Sequence, residues 1–193
     1  MDLIKKAELF AKKHHDATGC TYHNQNFAIH LDDVKDTLEE LLAKDGELYY
    51  SSTELEIMKT GVWLHDTIED CRVNYNELAE KFNPQVAEVV YKVTNELGKN
   101  RAERATKTYP KIASCRLARL VKLADRIANT RYSIKTQSSM FEKYKEEYSK
   151  FKKIVKPRFI NQFPDSPESL GWRTLDQLYY GSQPCKEEEV SVG

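Results

Sequence analysis

Cysteine, glycine and proline are scarce in this sequence of 193 residues, which contains 4 cysteines, 7 glycines and 6 prolines. The low glycine and proline content argues against a sheet-rich or disordered chain and favours a helical globular protein. Because the cysteines are scattered and form no CxxC pair, the sequence predicts neither a zinc knuckle nor a disulfide framework. Free thiols in a reducing compartment are therefore expected.

An excess of charge of either sign is also missing, since 30 lysines and arginines balance 30 aspartates and glutamates. The whole molecule therefore has no charge bias toward nucleic acid or an anionic membrane. No apolar run reaches the length of a signal peptide or a membrane span. We expect a cytoplasmic protein without a nucleic-acid or membrane partner, and the sequence gives no indication of its oligomeric state.

Apolar residues recur at helical spacing along most of the chain, and no stretch alternates as a strand would. The pattern predicts an all-α fold, with one domain over residues 1–180 and a flexible acidic tail at 181–193. Residues 99–111 lack an apolar face and are predicted to be a polar loop or a frayed helix. The predicted helices cover, approximately, residues 2–15, 30–43, 53–70, 74–82, 84–97, 113–131, 139–156 and 170–178.

The stretch GVWLHDTIEDC, at residues 61–71, places four ionisable side chains directly behind an apolar segment. On a continuous helix, His65 and Glu69 would share one face, and Asp66 and Asp70 would share the neighbouring face. An imidazole and a carboxylate are suitable ligands for a divalent transition metal, which normally draws further ligands from other helices. His30, at the start of a predicted helix, and Asp125, on an apolar helix face, are the candidates for these ligands.

A His-Asp dipeptide is a weak signal by itself. A second copy, His15-Asp16, falls in a predicted polar loop, where we expect a surface position. His65-Asp66 differs from it because the apolar residues GVWL precede it and acidic residues follow it. A separate acidic residue, Asp125, lies within the apolar stretch LVKLADR. Together these features favour a site over a solvated polar patch.

Three motifs resemble those of a known family. They are FAIHLDDV at 27–34, LHDTIED at 64–70 and VKLADRIANTR at 121–131, with a further match in NRAERATKTYPKI at 100–112. In this order they resemble the HD-domain phosphohydrolases and, among these, the alarmone (ppGpp) hydrolases of the stringent response and their small single-domain relatives. The resemblance spans most of residues 7–156 and implies an all-helical HD-domain bundle.

The resemblance also implies a function for the ionisable residues. His30, His65, Asp66 and Asp125 would bind one manganese ion, although another divalent transition metal would suit the same ligands. Glu69 and Asp70 would lie next to the nucleophilic water and act in catalysis. Alternatively, these two carboxylates would only orient the metal ligands.

The segment from residue 92 to residue 135 is strongly basic, with twelve lysines and arginines against three acidic residues. A solvated basic face would explain most of these charges. However, Arg101, Arg104 and Lys107 lie between the two metal-bearing segments, where family members hold substrate phosphates. By the same resemblance Asn129 would lie near the nucleoside, with a helix C-terminal cap as its alternative role.

One segment departs from the alarmone hydrolases, which place an Arg-Lys pair and a Gly-x-Pro-Tyr run before the first metal histidine. From His14 to His30 this chain has no arginine or lysine, and Leu31 stands where a proline is common. Tyr22 or His23 would then stack on the base instead.

The function implied is hydrolysis of ppGpp or pppGpp to GDP or GTP and pyrophosphate, and the partner is a small-molecule nucleotide. The alternatives are an HD-type phosphatase of another nucleotide (NADPH, a nucleoside monophosphate or a dNTP) and a non-catalytic nucleotide-binding protein.

Overall fold

Helices form almost all of the regular structure in residues 1–181, which a computed structural model describes. The predicted all-α class is therefore confirmed. The acidic tail predicted at 181–193 lies, from residue 182 onward, outside the described residues. Within residues 1–181, no helix combines the length and apolarity needed to cross a bilayer. In chain order the elements are α1 Leu3–Thr18, β1 Thr21–Tyr22, β2 Gln25–Asn26, α2 Ala28–Leu42, α3 Gly46–Tyr49, α4 Ser52–Leu64, α5 Thr67–Asp70, α6 Tyr75–Lys81, α7 Pro84–Val93, α8 Arg101–Ala113, α9 Arg116–Lys135, α10 Met140–Val155, a 3-10 turn Ile160–Gln162, and α11 Pro167–Tyr180.

Helix α9 lies at the centre of the bundle, where it packs against α2, α4, α7, α8, α10 and α11. The buried apolar side chains of all these helices join in one core. The apolar positions predicted to face this core include Leu120, Val121, Ala124 and Ile127, and all four are fully or almost fully buried. Because Asp125 belongs to the same buried stretch of α9, the fold holds a carboxylate close to the centre of the molecule.

Most helices begin at the capping residues that their sequences indicate. Asn74 caps α6, and Asn83 with Pro84 starts α7. The capping box of α4 differs from the prediction, which used Thr53 and Glu56. It is formed two residues earlier, where Ser51 Oγ accepts from the Glu54 amide at 3.3 Å and Glu54 Oε2 accepts from the Ser51 amide at 3.0 Å.

For residues 99–111 a polar loop or a frayed helix was predicted, and the loop was wrong, because residues 101–113 form helix α8. The face of α8 that packs into the core consists of Ala105, Thr108, Tyr109 and Ile112. This spacing is typical of a helix, but alanine and threonine give it little hydrophobic contrast. Pro110 lies exposed in the last turn of α8.

The chain between α1 and α2 is more ordered than expected. Helix α1 continues to Thr18, and a short hairpin then pairs Tyr22 with Gln25. The expected surface position of His15 was wrong, because His15 lies on α1 and its side chain is buried. Its imidazole stacks on the Phe27 ring, with centroids 4.0 Å apart and planes at 5°. This contact joins α1 to the segment that leads into α2.

Candidate active site

The helix that carries the His65-Asp66 pair ends where the pair begins. The expectation of one continuous helix to residue 70 was wrong, because α4 stops at Leu64 and α5 starts again at Thr67. Thr67 Oγ1 donates to the Leu64 carbonyl at 2.7 Å and stabilises the break. His65 and Asp66 therefore leave the helix at its end, which lets both side chains turn to the same point.

Four side chains from three parts of the chain converge at this point. The Nε2 atoms of His30 and His65 are 3.2 Å apart. Asp66 Oδ2 lies 3.0 Å from His65 Nε2 and 3.4 Å from His30 Nε2. Asp125 Oδ1 lies 3.4 Å and 3.7 Å from the same two nitrogens. The four residues predicted as metal ligands are thus brought together around one small volume.

The donor atoms fit a divalent metal ion. One ligand atom each from His30, His65 and Asp125 lies within 4.8 Å of the others, and all three residues are buried. His65 Nδ1 donates to the Val62 carbonyl at 2.7 Å, which leaves the Nε2 lone pair directed at the cluster. His30 is held by the Tyr22 ring, which stacks on it at 4.6 Å. Two imidazoles with two carboxylates form a mixed nitrogen and oxygen set that suits a divalent transition metal.

The electrostatics of the cluster favour a positive charge. Burial alone would lower the pKa of His30, but hydrogen bonds with Asp125 and Asp66 raise this pKa to about 9. Burial acts against the charged forms of both aspartates, and their interactions outweigh it: His65 and His30 lower the pKa of Asp66, while Lys122 and the histidines lower that of Asp125. Both carboxylates are therefore ionised, and their negative charges favour a cation at the cluster.

A second group of residues holds Asp125 in place. Lys122 Nζ lies 2.6 Å from Asp125 Oδ2, and Asn129 Nδ2 donates to Asp125 Oδ1 at 2.6 Å. The Tyr22 hydroxyl in turn donates to Asn129 Oδ1 at 2.9 Å. A C-terminal cap role for Asn129 was wrong, because α9 continues to Lys135. Lys122 was not singled out from the sequence, although its position three residues before Asp125 was an available signal.

Glu69 and Asp70 lie beside the cluster rather than within it. Asn95 holds Glu69 through its side-chain amide, at 3.1 Å from Oε1 and 3.0 Å from Oε2, and through its backbone amide at 3.3 Å from Oε2. Burial, together with the charges of Asp66 and Glu69, raises the pKa of Asp70 to about 6. The pair therefore combines an anchored carboxylate with one that exchanges protons near neutral pH.

A cavity of about 270 Å³ opens above the cluster. Its acidic floor includes Asp66, Glu69, Asp70 and Asp125. The remaining lining residues are mostly aromatic, basic or polar, with one alanine and one further carboxylate: Tyr22, Phe27, Tyr109, Tyr144, His30, Arg101, Arg104, Lys122, Arg126, Asn95, Asn129, Ala105 and Glu147. The cavity thus combines a cation-seeking floor with walls that carry guanidinium groups and aromatic rings.

The predicted phosphate-binding residues differ in their positions. Arg101 and Arg104 line the cavity, and Arg104 has no ion pair within residues 1–181. Lys107 does not line it, because its ammonium group binds Glu103 at 3.0 Å and the Leu97 carbonyl at 2.9 Å on the outer side of α8. Sequence reasoning missed Arg126, whose side chain is buried in the cavity wall.

A solved structure has the same architecture over nearly the whole chain. It belongs to a protein described as a metazoan ortholog of SpoT that hydrolyzes ppGpp and plays a role in starvation responses. The TM-score is 0.65 over 94% of this chain and 98% of that chain, at 16% sequence identity. The fold is that of the HD-domain ppGpp hydrolases.

Two curated proteins similar to this chain are named guanosine-3′,5′-bis(diphosphate) 3′-pyrophosphohydrolase MESH1. The Danio rerio protein is 31% identical over 121 residues, and the Drosophila melanogaster protein is 30% identical over 95 residues. The matches cover 62% and 48% of this chain, and they span 59% and 52% of the two relatives. No protein-family model matches the chain.

Proposed function

We propose that this HD-domain protein is a metal-dependent guanosine-3′,5′-bis(diphosphate) 3′-pyrophosphohydrolase. The observation that carries the proposal is a cavity in which buried His30, His65 and Asp125 and partly buried Asp66 face a wall of guanidinium groups. A cation site beside an anion-binding wall suits a nucleotide that carries a pyrophosphate group. The names of the two curated relatives support the same reaction.

In this proposal the four clustered side chains bind one divalent ion, with manganese as the preferred metal because imidazole and carboxylate ligands together suit it. A divalent ion bound there supplies Lewis-acid assistance to the phosphoryl group and to water. Lys122 and Asn129 keep Asp125 oriented from two sides. The ionised state of both aspartates makes the site ready for a cation at neutral pH.

The proposed reaction is the attack of water on the phosphorus bonded to the 3′-oxygen, which breaks that bond and releases pyrophosphate. Glu69, fixed by Asn95, orients the water and accepts its proton. Asp70, with a pKa of about 6, donates a proton from its protonated carboxyl to the departing 3′-oxygen. Both carboxylates line the cavity, where they can reach the substrate.

Arg104 and Arg101 are the proposed phosphate ligands, since both reach the cavity from one face of α8. Lys107 would contribute only at long range. Tyr22 is the proposed aromatic contact for the nucleoside, because its half-buried ring lines the cavity. His23 instead stacks on Tyr132, with centroids 4.8 Å apart, and does not line the cavity.

A second candidate is a phosphatase of another nucleotide. The feature that favours it is the aromatic wall at Tyr22 and Phe27, which belongs to a segment without arginine or lysine between His14 and His30. Such a wall can stack on any base, whereas discrimination among bases needs groups that bind their polar edges. A substrate assay therefore distinguishes the ppGpp hydrolase from the phosphatase of another nucleotide.

The test is a substrate panel with added Mn²⁺, analysed by anion-exchange chromatography. Pyrophosphate released from ppGpp is the expected result, and orthophosphate released from NADPH, a nucleoside monophosphate or a dNTP would favour the second candidate. Asp66→Ala should abolish turnover, so hydrolysis that survives this change would contradict the proposed centre. Binding of ppGpp without turnover by the unchanged protein would point to a non-catalytic nucleotide-binding role.

A further inference from the structure

One carboxylate, Glu147, occupies the basic wall of the cavity. Glu147 lies on α10 and accepts from Arg101 in a two-point contact, with Nε to Oε1 at 2.6 Å and Nη2 to Oε2 at 3.1 Å. The Nη1 and Nη2 atoms of Arg126 both lie 3.4 Å from Glu147 Oε2. A single acidic side chain thus connects α8, α9 and α10 beside the proposed phosphate site.

The two arginines differ in freedom of movement. Arg126 is buried, donates to the Tyr144 carbonyl at 2.8 Å and packs over the Phe151 ring at 5.1 Å. The Arg101 side chain is 47% exposed and stands at the first residue of α8. If the pair opens, Arg101 is therefore the partner that can swing away, while Arg126 stays with Glu147.

Glu147 is charged at neutral pH. Burial alone would raise its pKa, but the ion pairs with Arg101 and Arg126 outweigh burial and lower this pKa. An ionised carboxylate in a two-point contact offers a guanidinium the same geometry that a phosphate offers. A phosphate that approaches Arg101 must therefore compete with Glu147.

We propose that Glu147 is a positioning residue that holds Arg101 in the phosphate-free protein and releases it to a bound phosphate. Glu147 thereby sets how tightly the cavity binds phosphate groups. The inference rests on the proposed function for the identity of the substrate. The competition between Glu147 and phosphate for Arg101 depends only on the side chains of the cavity wall.

The experiment is calorimetric titration of the Mn²⁺-loaded protein with inorganic phosphate. Glu147→Gln removes the competing charge and keeps the size of the side chain, so phosphate should bind about fivefold to tenfold more tightly. In an Arg101→Gln background the same change should increase phosphate affinity by a clearly smaller factor, because the guanidinium that Glu147 competes for is absent. Unchanged or weaker phosphate binding by folded Glu147→Gln protein overturns the proposal, as does an equal gain in both backgrounds.

A matched control is available in the Arg131–Glu40 pair. It has the same two-point contact, at 2.6 and 2.9 Å, and neither residue lines the cavity. Glu40→Gln should leave phosphate affinity unchanged, and an equal gain in this variant would attribute the effect to net charge and overturn the proposal.

Loss of the Glu147 charge removes the ion pair with Arg126, and Glu147→Asp is the second variant in case Glu147→Gln does not fold. It retains the charge near Arg126 but is too short for the two-point contact with Arg101. Phosphate binding should then tighten by a smaller factor, and unchanged binding by the folded variant overturns the proposal. Because phosphate binding needs no turnover, this result is independent of the substrate panel.

Discussion

The Nε2 atoms of His30 and His65 face each other at 3.2 Å in the centre of the bundle. His65 donates from Nδ1 to the Val62 carbonyl, so its Nε2 lone pair faces His30. The Asp66 and Asp125 carboxylates each have an oxygen 3.4 Å from His30 Nε2. Two imidazoles and two carboxylates at one point form a ligand set that is compatible with a divalent metal ion.

Asp125→Asn should reduce Mn²⁺ affinity by more than about 100-fold, because changes to groups that only support a metal ligand already cost 10- to 100-fold. The metal content of the purified variant, measured by mass spectrometry, and the shift of its melting temperature on adding Mn²⁺ would check this. Asp36→Asn alters an exposed aspartate on α2 and serves as the control. Full metal content in the Asp125 variant would contradict the ligand assignment.

Removal of the Glu69 charge should slow the reaction without releasing the metal. For Glu69→Gln we expect kcat to fall about 100-fold or more, which is the usual contribution of a general base. Metal content should stay at the level of the unchanged protein, since Glu69 lies outside the four clustered ligands. Steady-state kinetics combined with metal analysis separates this result from loss of the centre.

Loss of the Asn95 contacts should misplace the Glu69 carboxylate. Asn95→Ala should therefore lower kcat between about 5- and 50-fold and leave KM nearly unchanged, because orientation rather than binding is affected. Asn161→Ala, outside the cavity lining, is the control. A rise in KM at constant kcat would assign Asn95 to substrate binding instead.

His15 should make the protein less stable in mild acid. Burial lowers its pKa from 6.5 to about 4. Between these pH values the unfolded chain binds more protons than the folded protein, so the free energy of unfolding decreases as the pH falls from 6.5 to 4. The loss from this residue is at most about 3 kcal/mol.

His15→Phe keeps a ring against Phe27 and removes the titrating group. Urea unfolding at several pH values between 4 and 7 should therefore show a weaker pH dependence for this variant. His14→Gln, at the adjacent partly buried position, should behave like the unchanged protein. Identical pH dependence in the His15→Phe variant and the unchanged protein would exclude His15 as the source.

The ion pair between Arg119 and Glu168 should be important for stability. Its atoms are 2.8 Å apart, and the side chains are only 16% and 6% exposed. Glu168→Ala leaves the Arg119 charge buried without its partner, which should cost about 3 kcal/mol or more. Glu39→Ala breaks an exposed pair with Lys35 and should cost less than about 1 kcal/mol in the same denaturation experiment.

The helices could largely be predicted from the sequence because caps and apolar spacing are local signals. Asn74 and Pro84 marked helix starts correctly, and the apolar residues of α9 marked a buried face. Helix α8 was missed because its buried alanine and threonine side chains contrast little with their neighbours. The break after Leu64 was missed because residues 65–70 contain no glycine or proline that would mark a helix end.

The sequence by itself determined which chemical groups this protein has for a site: two imidazoles and a set of carboxylates in recognisable motifs, followed by a basic segment. Only the tertiary structure decided the relative positions of these groups, because packing of α2, α4 and α9 brings together residues that are far apart in the chain. It also decided that His15 is buried, that Lys107 lies outside the cavity, and that Glu147 binds Arg101. These outcomes depend on contacts between separate helices, which the spacing of residues along one helix does not encode.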